Sequence, residues 1–506
     1  MTHCFVALPE DYEPVFLFDE HGNRDRQVLW GDWLRIDEEN DGDPDWRAVL
    51  WAWEDLEKKR RLKVRREHTT DARPLEIVFV DVGQGDGAVL ITPERDDSER
   101  IVVIDAGEGE HMREFLDARF STYKRRMRFH AAVITHPDLD HYGGFASIFE
   151  NGAITFDKLY HSGLVERPER DAWAKLGGKI KDSVSSREYL AALVVDDAAM
   201  RTLFGPPVKV GRYRYAGMVR AAIDGNLVGA FEMLSTRHGT SEEGGCWMPG
   251  FAPSDPRDYA IEIVGPIPEL DAGGAPWLRR LGDAGKTKNG HSVLLRLHFG
   301  DFKVFFGGDL NFPAEQYLLT SLAGMAEWPR TTVEREELVA RAAPFVRAEV
   351  MKTCHHGSSD VTDEFLEAVN PAAFVISSGD EEGHVHPRPD LLGRLGKFGR
   401  GASPVLLSTE LQRSTREKED AKLVEALTSD IARLAKTPSD ALRDRIQKDV
   451  AALGRSNVDV DGAIYLKTDG KRLIAAFKKE QQAATDKWFY FEYAILNRRL
   501  ILKPRN

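Results

Sequence analysis

The sequence predicts an α/β fold preceded by a small β-rich unit, and three observations carry that expectation. Apolar runs with strand character recur from Leu75 onward, at Ile77–Val80, Ala88–Thr92, Ile101–Ile104, Ala131–Thr135, Ser292–Leu297, Phe302–Phe306, Ala348–Thr353, Ala372–Ser377 and Val405–Leu407. Stretches with helical periodicity fall among them, near 110–120, 143–149, 312–322, 361–369 and 388–397. Nearly every strand ends in a polar, glycine-containing loop rich in Asp or His, as in a sandwich whose site is built on loops at strand ends.

At 506 residues the chain exceeds one ordinary domain, so two or three units are expected. Residues 1–72 read as the β-rich unit, with short runs at Val15–Phe18, Val28–Ile36, Arg47–Trp53 and Leu62–Arg65 separated by polar turns. Its pattern Leu29-Trp30-Gly31-Asp32-Trp33-Leu34-Arg35-Ile36, followed by Asp45-Trp46-Arg47-Ala48-Val49, resembles bacterial SH3-like barrels, and a decorated N-terminal extension is the alternative. Residues 73–415 form the main body. Within it, 151–286 carries Gly/Pro/Asp clusters (Glu242–Gly250, Asp271–Pro276) and reads as an insertion or lid. Residues 416–506 read as a helical hairpin (Asp420–Leu434, Asp440–Leu453) and a β-hairpin, Ala463–Lys467 and Leu473–Phe477, around Thr468-Asp469-Gly470-Lys471. The leucine spacing over 423–453 is expected to serve core packing.

Hydrophobic residues make up 42% and charged residues 30%, a globular balance that leaves an ample core. Cys4, Cys246 and Cys354 are too few and too far apart for a disulfide framework or a cysteine zinc motif, which points to a reducing compartment. The start lacks a signal-peptide pattern, and no run approaches the ~20 apolar residues that span a bilayer. A soluble, cytoplasmic protein with no membrane partner is therefore expected. The net charge of −13 counts against a broad surface for long duplex DNA, because such surfaces neutralise phosphates. Two basic runs, Lys58-Lys59-Arg60-Arg61 and Lys124-Arg125-Arg126, read as solvated faces.

The strongest chemical signal is Thr135-His136-Pro137-Asp138-Leu139-Asp140-His141, which follows an apolar strand and precedes a helix start at Tyr142-Gly143-Gly144. Four potential ligands in six residues on a strand-to-helix turn can face one volume, and His and Asp are the side chains that bind divalent metals. Helix-capping aspartates are the competing reading. A second segment, Phe305-Phe306-Gly307-Gly308-Asp309-Leu310, ends a strand in two glycines and delivers Asp309, whose alternative role is an N-cap. A third, Val350-Met351-Lys352-Thr353-Cys354-His355-His356-Gly357-Ser358, ends in paired histidines; the pattern leaves open which is the ligand and leans to His355. Three further segments fit the same place. Asp81-Val82-Gly83-Gln84-Gly85-Asp86 offers Asp86 to orient a ligand histidine. Asp105-Ala106-Gly107 ends a strand, and in Gly383-His384-Val385-His386-Pro387 the imidazole of His386 suits proton donation to a leaving group. Each reads equally well as a structural turn. Cys354 reads as a small strand residue rather than a nucleophile.

Taken in order, Asp81–Asp86, Ile104–Gly107, 135–144, Asn289-Gly290-His291-Ser292-Val293-Leu294, Gly307-Gly308-Asp309 and His355-His356-Gly357-Ser358 resemble the metallo-β-lactamase superfamily, specifically the hydrolase domain of ComEC-type competence proteins and their soluble relatives. The resemblance implies a four-layer αββα sandwich with two metals at one edge of its sheets. It implies His136, Asp138, Asp140, His141, Asp309 and His355 or His356 as the ligand set. Asp140, Asp86 and His386 are expected to be catalytic, with Asp81, Gln84, Asp105, Asn289, Ser292 and Ser358 in support. It also implies a nuclease or phosphodiesterase, and hence a nucleic acid or nucleotide substrate.

Two departures matter. Asp138 stands where the superfamily has histidine, and the histidine expected before the bridging aspartate has no counterpart, unless His291 or His238 folds into place. The oxygen-rich set favours two Mn²⁺ ions, with Zn²⁺ or Mg²⁺ the alternatives. The expected mechanism is hydrolysis by a water activated between two cations about 3.5–4 Å apart. A lactonase or thioesterase on a small molecule is the second expectation. A non-catalytic binding protein, with a protein partner on the N-terminal unit, is the third.

Overall fold

Continuous apolar runs such as Leu75–Phe79 and Ile101–Ala106 form strands whose side chains point alternately to two covered faces. The structure, a computed structural model, describes residues 2–52, 59–96, 98–242, 244–379, 386–414, 421–451, 453, 457–479, 483–496 and 499–503. Its architecture is mixed α/β. A ten-stranded sheet runs in the order Val228–Met233, Ile154–His161, Met127–Ile134, Ile101–Ala106, Gly87–Ile91, Leu75–Phe79, Ile464–Thr468, Arg472–Lys478, Trp488–Leu496, Arg499–Leu502. An eight-stranded sheet runs in the order Thr240–Glu242, Gly245–Trp247, Tyr259–Gly265, Leu294–Phe299, Phe302–Phe306, Val350–Lys352, Ala373–Ile376, Val405–Ser408.

Three buried clusters show how these layers meet. Ile77, Phe79, Leu90 and Ile104 of the larger sheet pack with Ile261, Leu295, Val304 and Phe306 of the smaller, so the two sheets share one core. Phe79 and Phe306 meet across it with ring centroids 5.9 Å apart. The alternate residues Val78, Val89 and Val103 pack instead on Met112, Leu116, Phe145 and Phe149, from the helices His111–Phe120 and Leu139–Asn151. Phe305, Met351 and Phe374 likewise pack on Leu318, Leu338 and Phe365, from the helices Phe312–Ala323, Thr332–Val346 and Asp363–Val369. Each sheet thus carries helices on the face turned away from the shared core.

One polar group sits inside that outer helical layer. Glu315 is fully buried, and one of its carboxyl oxygens accepts the N–H of Thr362, the N-cap of Asp363–Val369. Burial pushes its carboxyl from 4.5 up to about 8. A group raised in the folded state contributes stability that is complete below its unfolded value and is lost as pH rises through the folded value. The chain is therefore expected to lose stability between about pH 4.5 and 8 on account of Glu315. Glu315→Gln should remove that slope and be the more stable form at pH 9, by on the order of 2–4 kcal/mol. Parallel urea-derived stabilities across the pH range would rule the effect out.

The expected elements from 75 to 151 and from 292 to 408 lie within a few residues of those observed. Residues 151–286 differ. Ile154–His161 and Val228–Met233 extend the ten-stranded sheet in parallel, and Tyr259–Gly265 pairs antiparallel with Leu294–Phe299. Only the remainder stands outside the two sheets, as the helices Asp197–Phe204 and Arg214–Asp224 and a four-stranded sheet that includes Glu188–Leu190 and Pro276–Arg279. The C-terminal hairpin forms as expected, but Ile464–Thr468 pairs antiparallel with Leu75–Phe79, which makes it part of the main sheet. The helices Ala421–Lys436 and Asp440–Ala451 do not pack as a leucine-rich core. Leu427 and Asp430 are their buried residues, while Val424, Ile431 and Val450 stay exposed.

The N-terminal residues form a seven-stranded sheet from His3–Val6 to Thr69–Thr70 around Cys4, Val15, Leu17, Leu34 and Val64. It docks on the C-terminal strands through Leu8, Tyr12, Leu29 and Trp30 against Ile474, Ala476 and Tyr490. Gln27 Nε2 donates to the Trp488 carbonyl at 3.2 Å and its Oε1 accepts the Trp488 N–H at 2.8 Å. Among the described residues no helix is long and apolar enough to cross a membrane.

Candidate metal centre

Parallel strands discharge their C-terminal ends at one sheet edge, where open α/β folds place ligands. Here that edge collects Asp86 after Leu75–Phe79, Asp105 at the end of Ile101–Ala106, and His136 after Met127–Ile134. The facing sheet delivers Asp309 after Phe302–Phe306 and His355-His356 after Val350–Lys352. Close backbone approach is needed to seat these loops. A Cβ on Gly85 would lie 2.1 Å from the Asp140 carbonyl oxygen, and the neighbouring Asp86 N–H donates to that same oxygen at 3.2 Å. Asp105, His355 and His356 all adopt left-handed backbone, with φ of 55°, 49° and 54°. Such conformations cost non-glycine residues of order 1–3 kcal/mol and persist where surrounding structure imposes them.

Four side chains, Asp86, His141, Asp309 and His356, bring ligand atoms within 4.8 Å of one another, and all four are buried. His141 Nε2 lies 3.3 Å from His356 Nε2 and 3.3 Å from Asp309 Oδ1. His356 Nε2 lies 3.3 Å from Asp309 Oδ2 and 3.3 Å from Asp140 Oδ2. His136 Nε2 is 3.8 Å from Asp309 Oδ2 and 3.4 Å from Asp138 Oδ2. The structure thus brings His136, Asp138, Asp140, His141, His355 and His356 together about Asp309.

The tautomers decide what this cluster can hold. His141 Nδ1 faces Asp105 Oδ2 at 2.8 Å, and a carboxylate only accepts, so Nδ1 carries the proton. His356 Nδ1 faces the Ser377 carbonyl at 3.2 Å and Asp86 Oδ1 at 3.1 Å, which fixes its proton outward as well. Both Nε2 lone pairs then converge with carboxylate oxygens on one point. That is the donor arrangement of metal-binding histidines, whose other nitrogen donates to a carboxylate or carbonyl. A divalent cation fits this donor set.

The choice within the pair goes to His356 rather than to His355, towards which the sequence leaned. His356 is buried and anchored through Nδ1, whereas the His355 side chain is 30% exposed and its Nε2 stands 3.8 Å from Asp309. His355 and His356 share left-handed backbone, with φ of 49° and 54°, so burial and side-chain contacts, which two adjacent histidines in a sequence do not disclose, separate them.

Without a cation the carboxylates govern the imidazoles. Burial alone would lower the pKa of His141 and His356, but Asp309, with Asp105 beside the first and Asp86 beside the second, raises both well above the ordinary value. Burial would raise Asp309, and the two imidazoles instead hold it well below the usual carboxylate range. A cation takes the neutral ring, so its binding must expel protons at neutral pH. Apparent affinity is expected to rise with pH, and calorimetry in buffers of different ionisation enthalpy should register proton release. Equal binding heats in all buffers at pH 7 would contradict this.

The other expected residues divide. Asp105 accepts the Thr135 N–H at 2.8 Å and contacts His141, and Asp86 contacts His356 Nδ1 at 3.1 Å, both positioned to orient a ring. Ser292 Oγ lies 3.2 Å from His136 Nδ1 and accepts the Asp309 N–H at 3.1 Å. The Asn289 amide, oriented to satisfy its surroundings, donates to Asp138 Oδ2 at 2.8 Å. Asp81 accepts the Gly83 N–H and Ser358 Oγ accepts the Asp360 N–H, both within local turns. The side-chain oxygen of Gln84 is buried but meets no hydrogen-bond donor among the described residues. His386 stands half-buried at the rim, its ring centroid 6.1 Å from that of His355; Gly383, His384 and Val385 lie outside the described residues. His291 meets the Arg279 carbonyl at 2.7 Å and His238 meets Ser235 Oγ at 2.7 Å, so neither supplies the absent ligand. Burial pushes the Cys354 thiol well above its ordinary value, against a nucleophilic role.

Two lysines were not anticipated. Lys352 Nζ pairs with Asp86 and donates to the Gly308 carbonyl at 3.2 Å, and Lys288 Nζ pairs with Asp138 and with Glu166 at 2.8 Å. The sequence signal for Lys352 was a charge inside a strand otherwise read as buried.

No family profile matches the chain, and no curated protein matches it. Among solved structures, one described as a metal-dependent hydrolase of the β-lactamase superfamily shares 11% identity over 66% of this chain and 95% of its own, with a TM-score of 0.31. A protein of unknown function from Enterococcus faecalis V583 shares 12% identity over 66% of this chain and 76% of its own, with a TM-score of 0.20. At those scores neither likeness carries a fold or an activity over to this chain.

Proposed function

We propose that the chain is a cytoplasmic, metal-dependent hydrolase of phosphodiesters, acting on DNA or on a cyclic or short oligonucleotide. We further read its paired sheets as the four-layer sandwich of the metallo-β-lactamase superfamily in its ComEC-type branch, and the N-terminal sheet as SH3-like. One observation supports the activity above the others: His141 and His356 turn their Nε2 atoms towards Asp309 and Asp140 while their Nδ1 atoms are tied outward. A divalent cation bound there lowers the pKa of a water and draws charge from phosphoryl oxygens.

The chain's own residues supply the rest. Asp105 and Asp86 fix the two rings. Asp140, whose carboxylate is 28% exposed, faces the open side of the centre and can take a proton from the attacking water. In this reading His386, whose ring centroid lies 6.1 Å from that of His355, returns a proton to the leaving oxygen. A donor set richer in oxygen than the superfamily's usual one favours Mn²⁺ or Mg²⁺ over Zn²⁺.

Charge placement favours a short substrate over long duplex DNA. Arg60 and Arg61 are paired with Asp25 and Asp37, and Lys58 lies outside the described residues. Lys124 and Arg125 line a cleft of about 640 Å³ with Arg73, Arg95 and Arg119. That cleft sits by the turn before Ile101–Ala106 and the end of His111–Phe120, at the sheet end opposite the centre, so it lays no track to it. Leu139, which lies between Asp138 and Asp140 in the chain, lines with Glu108 and Met218 a cleft of about 420 Å³, within the size range of small-ligand sites. Such a cleft also suits a lactone or thioester, the second reading.

Mn²⁺-dependent release from single-stranded DNA, duplex DNA, cyclic dinucleotides, bis-p-nitrophenyl phosphate and a lactone separates these. Phosphodiester cleavage is expected, strongest on the short substrates, and Asp140→Ala should lose about 10²–10⁴-fold in rate, the span of general acid–base assistance. Hydrolysis of the lactone alone, or an undiminished Asp140→Ala, would overturn the reading.

A further inference from the structure

The resemblance seen in the sequence implies two cations sharing Asp309, but the two halves of the centre are not equally fit for one. On the side of His141 and His356 the donors are complete, with each Nδ1 already tied outward. On the side of His136 and Asp138 they are not. His355 Nε2 stands 3.8 Å from the Asp309 oxygen that His136 also faces, but its side chain is 30% exposed. Neither His291 nor His238 completes that side, both being engaged elsewhere, and the chain contributes the Ser292 hydroxyl to His136 Nδ1 instead.

Asp138 is also committed. Its Oδ1 is in contact with the Lys288 ammonium and its Oδ2 accepts from the Asn289 amide. Lys288 is no mobile surface lysine, since its side chain is 13% exposed and Glu166 holds the same ammonium at 2.8 Å. The short helix that carries it, Ala284–Gly290, is pinned at several points. Asp283 Oδ1 accepts the Lys286 N–H at 2.8 Å, Asn311 Nδ2 donates to the Lys286 carbonyl at 2.9 Å, and Thr287 Oγ1 accepts the Leu281 N–H at 3.0 Å. A dication at Asp138 would face that fixed positive charge at close range in a partly buried site, where repulsion is weakly screened.

Resting on the metal-dependent reading above, we propose that the centre holds a single divalent cation, on His141, His356, Asp309 and Asp140, and that the Lys288 ammonium stands in the place of a second. The charge of one cation is built into the chain.

The test counts ions rather than turnover. The full-length protein is stripped with chelator, titrated with Mn²⁺ under electron paramagnetic resonance, and assayed for retained metal by elemental analysis. The parent should bind one Mn²⁺ per chain, Lys288→Arg should also bind one, and Lys288→Met should double the bound ions to two. Asp138→Asn gives a check that does not depend on the fold of Lys288→Met, because it should leave the count at one. Two tightly bound ions in the parent, a fall in count with Asp138→Asn, or a folded Lys288→Met that still binds one would each overturn the proposal while leaving a metal centre in place. No bound ion in the parent would overturn the metal-dependent reading itself.

Discussion

Asp309→Asn is expected to abolish cation binding at neutral pH and with it all metal-dependent turnover. The substitution is nearly isosteric, and the Ser292 hydroxyl that accepts the Asp309 N–H at 3.1 Å is untouched, so the loop should keep its course. What disappears is the charge that binds the site together, for Asp309 faces His141 and His356 at 3.3 Å and His136 and His355 at 3.8 Å. Removing only a partner that supports a metal ligand already costs about 10–100-fold in affinity, so loss of the shared carboxylate should exceed ~100-fold. A compensating effect exists, with the opposite sign. Without Asp309 the two imidazoles lose the group that raises their pKa, so fewer protons compete with the cation. That gain is limited to the protons displaced, whereas the loss is a ligand and a full charge. Mn²⁺ titration of the variant at pH 7.5 checks it; affinity within a few-fold of the parent would place the cation elsewhere.

Much of this site was legible in the sequence because it is local. His136, Asp138, Asp140 and His141 fall on one strand-to-helix turn, and Asp309 and His356 each follow a strand whose apolar run is unmistakable. What was missed is non-local. Thr155, Asp157 and Lys158 interrupt Ile154–His161, so it lacks the continuous apolar run of a doubly covered strand, and its partner Val228–Met233 lies beyond three intervening helices, Ala172–Lys175, Asp197–Phe204 and Arg214–Asp224. The C-terminal hairpin was readable from Thr468–Lys471, but nothing in a local window says that Ile464–Thr468 pairs with Leu75–Phe79 at the other end of the chain. The SH3-like pattern around Trp30 gave no hint that Trp30 itself would face Ile474 and Tyr490. His355 and His356 are equivalent as letters, and both take left-handed backbone; burial of the His356 ring and its Nδ1 contacts to Ser377 and Asp86 separate them. Lys288 sits in a polar stretch whose helical turn alone brings it to Asp138.

Lys352→Met should cost more stability than any other single change near the centre, about 3–5 kcal/mol, the range for leaving a buried ion unpaired. Lys352 and Asp86 are 5% and 8% exposed, so water cannot replace the lost partner. The carboxylate of Asp86 then keeps His356 Nδ1 at 3.1 Å and, farther off, His141 Nδ1 at 4.0 Å, and how far the nearer ring compensates depends on its proton. In the cation-free protein His356 is held protonated and shares the burden. With a cation bound, the ring is neutral, but the cation itself lies close to Asp86, whose ligand atom falls within 4.8 Å of those of His141, Asp309 and His356. The variant should therefore gain more thermal stability from Mn²⁺ than the parent gains, since in the variant the ion also answers an unpaired carboxylate. Adding Asp86→Asn to Lys352→Met removes the stranded charge and should recover most of the lost stability. If that double variant were as unstable as Lys352→Met alone, lost packing around the lysine stem, rather than the charge on Asp86, would be what Lys352 provides.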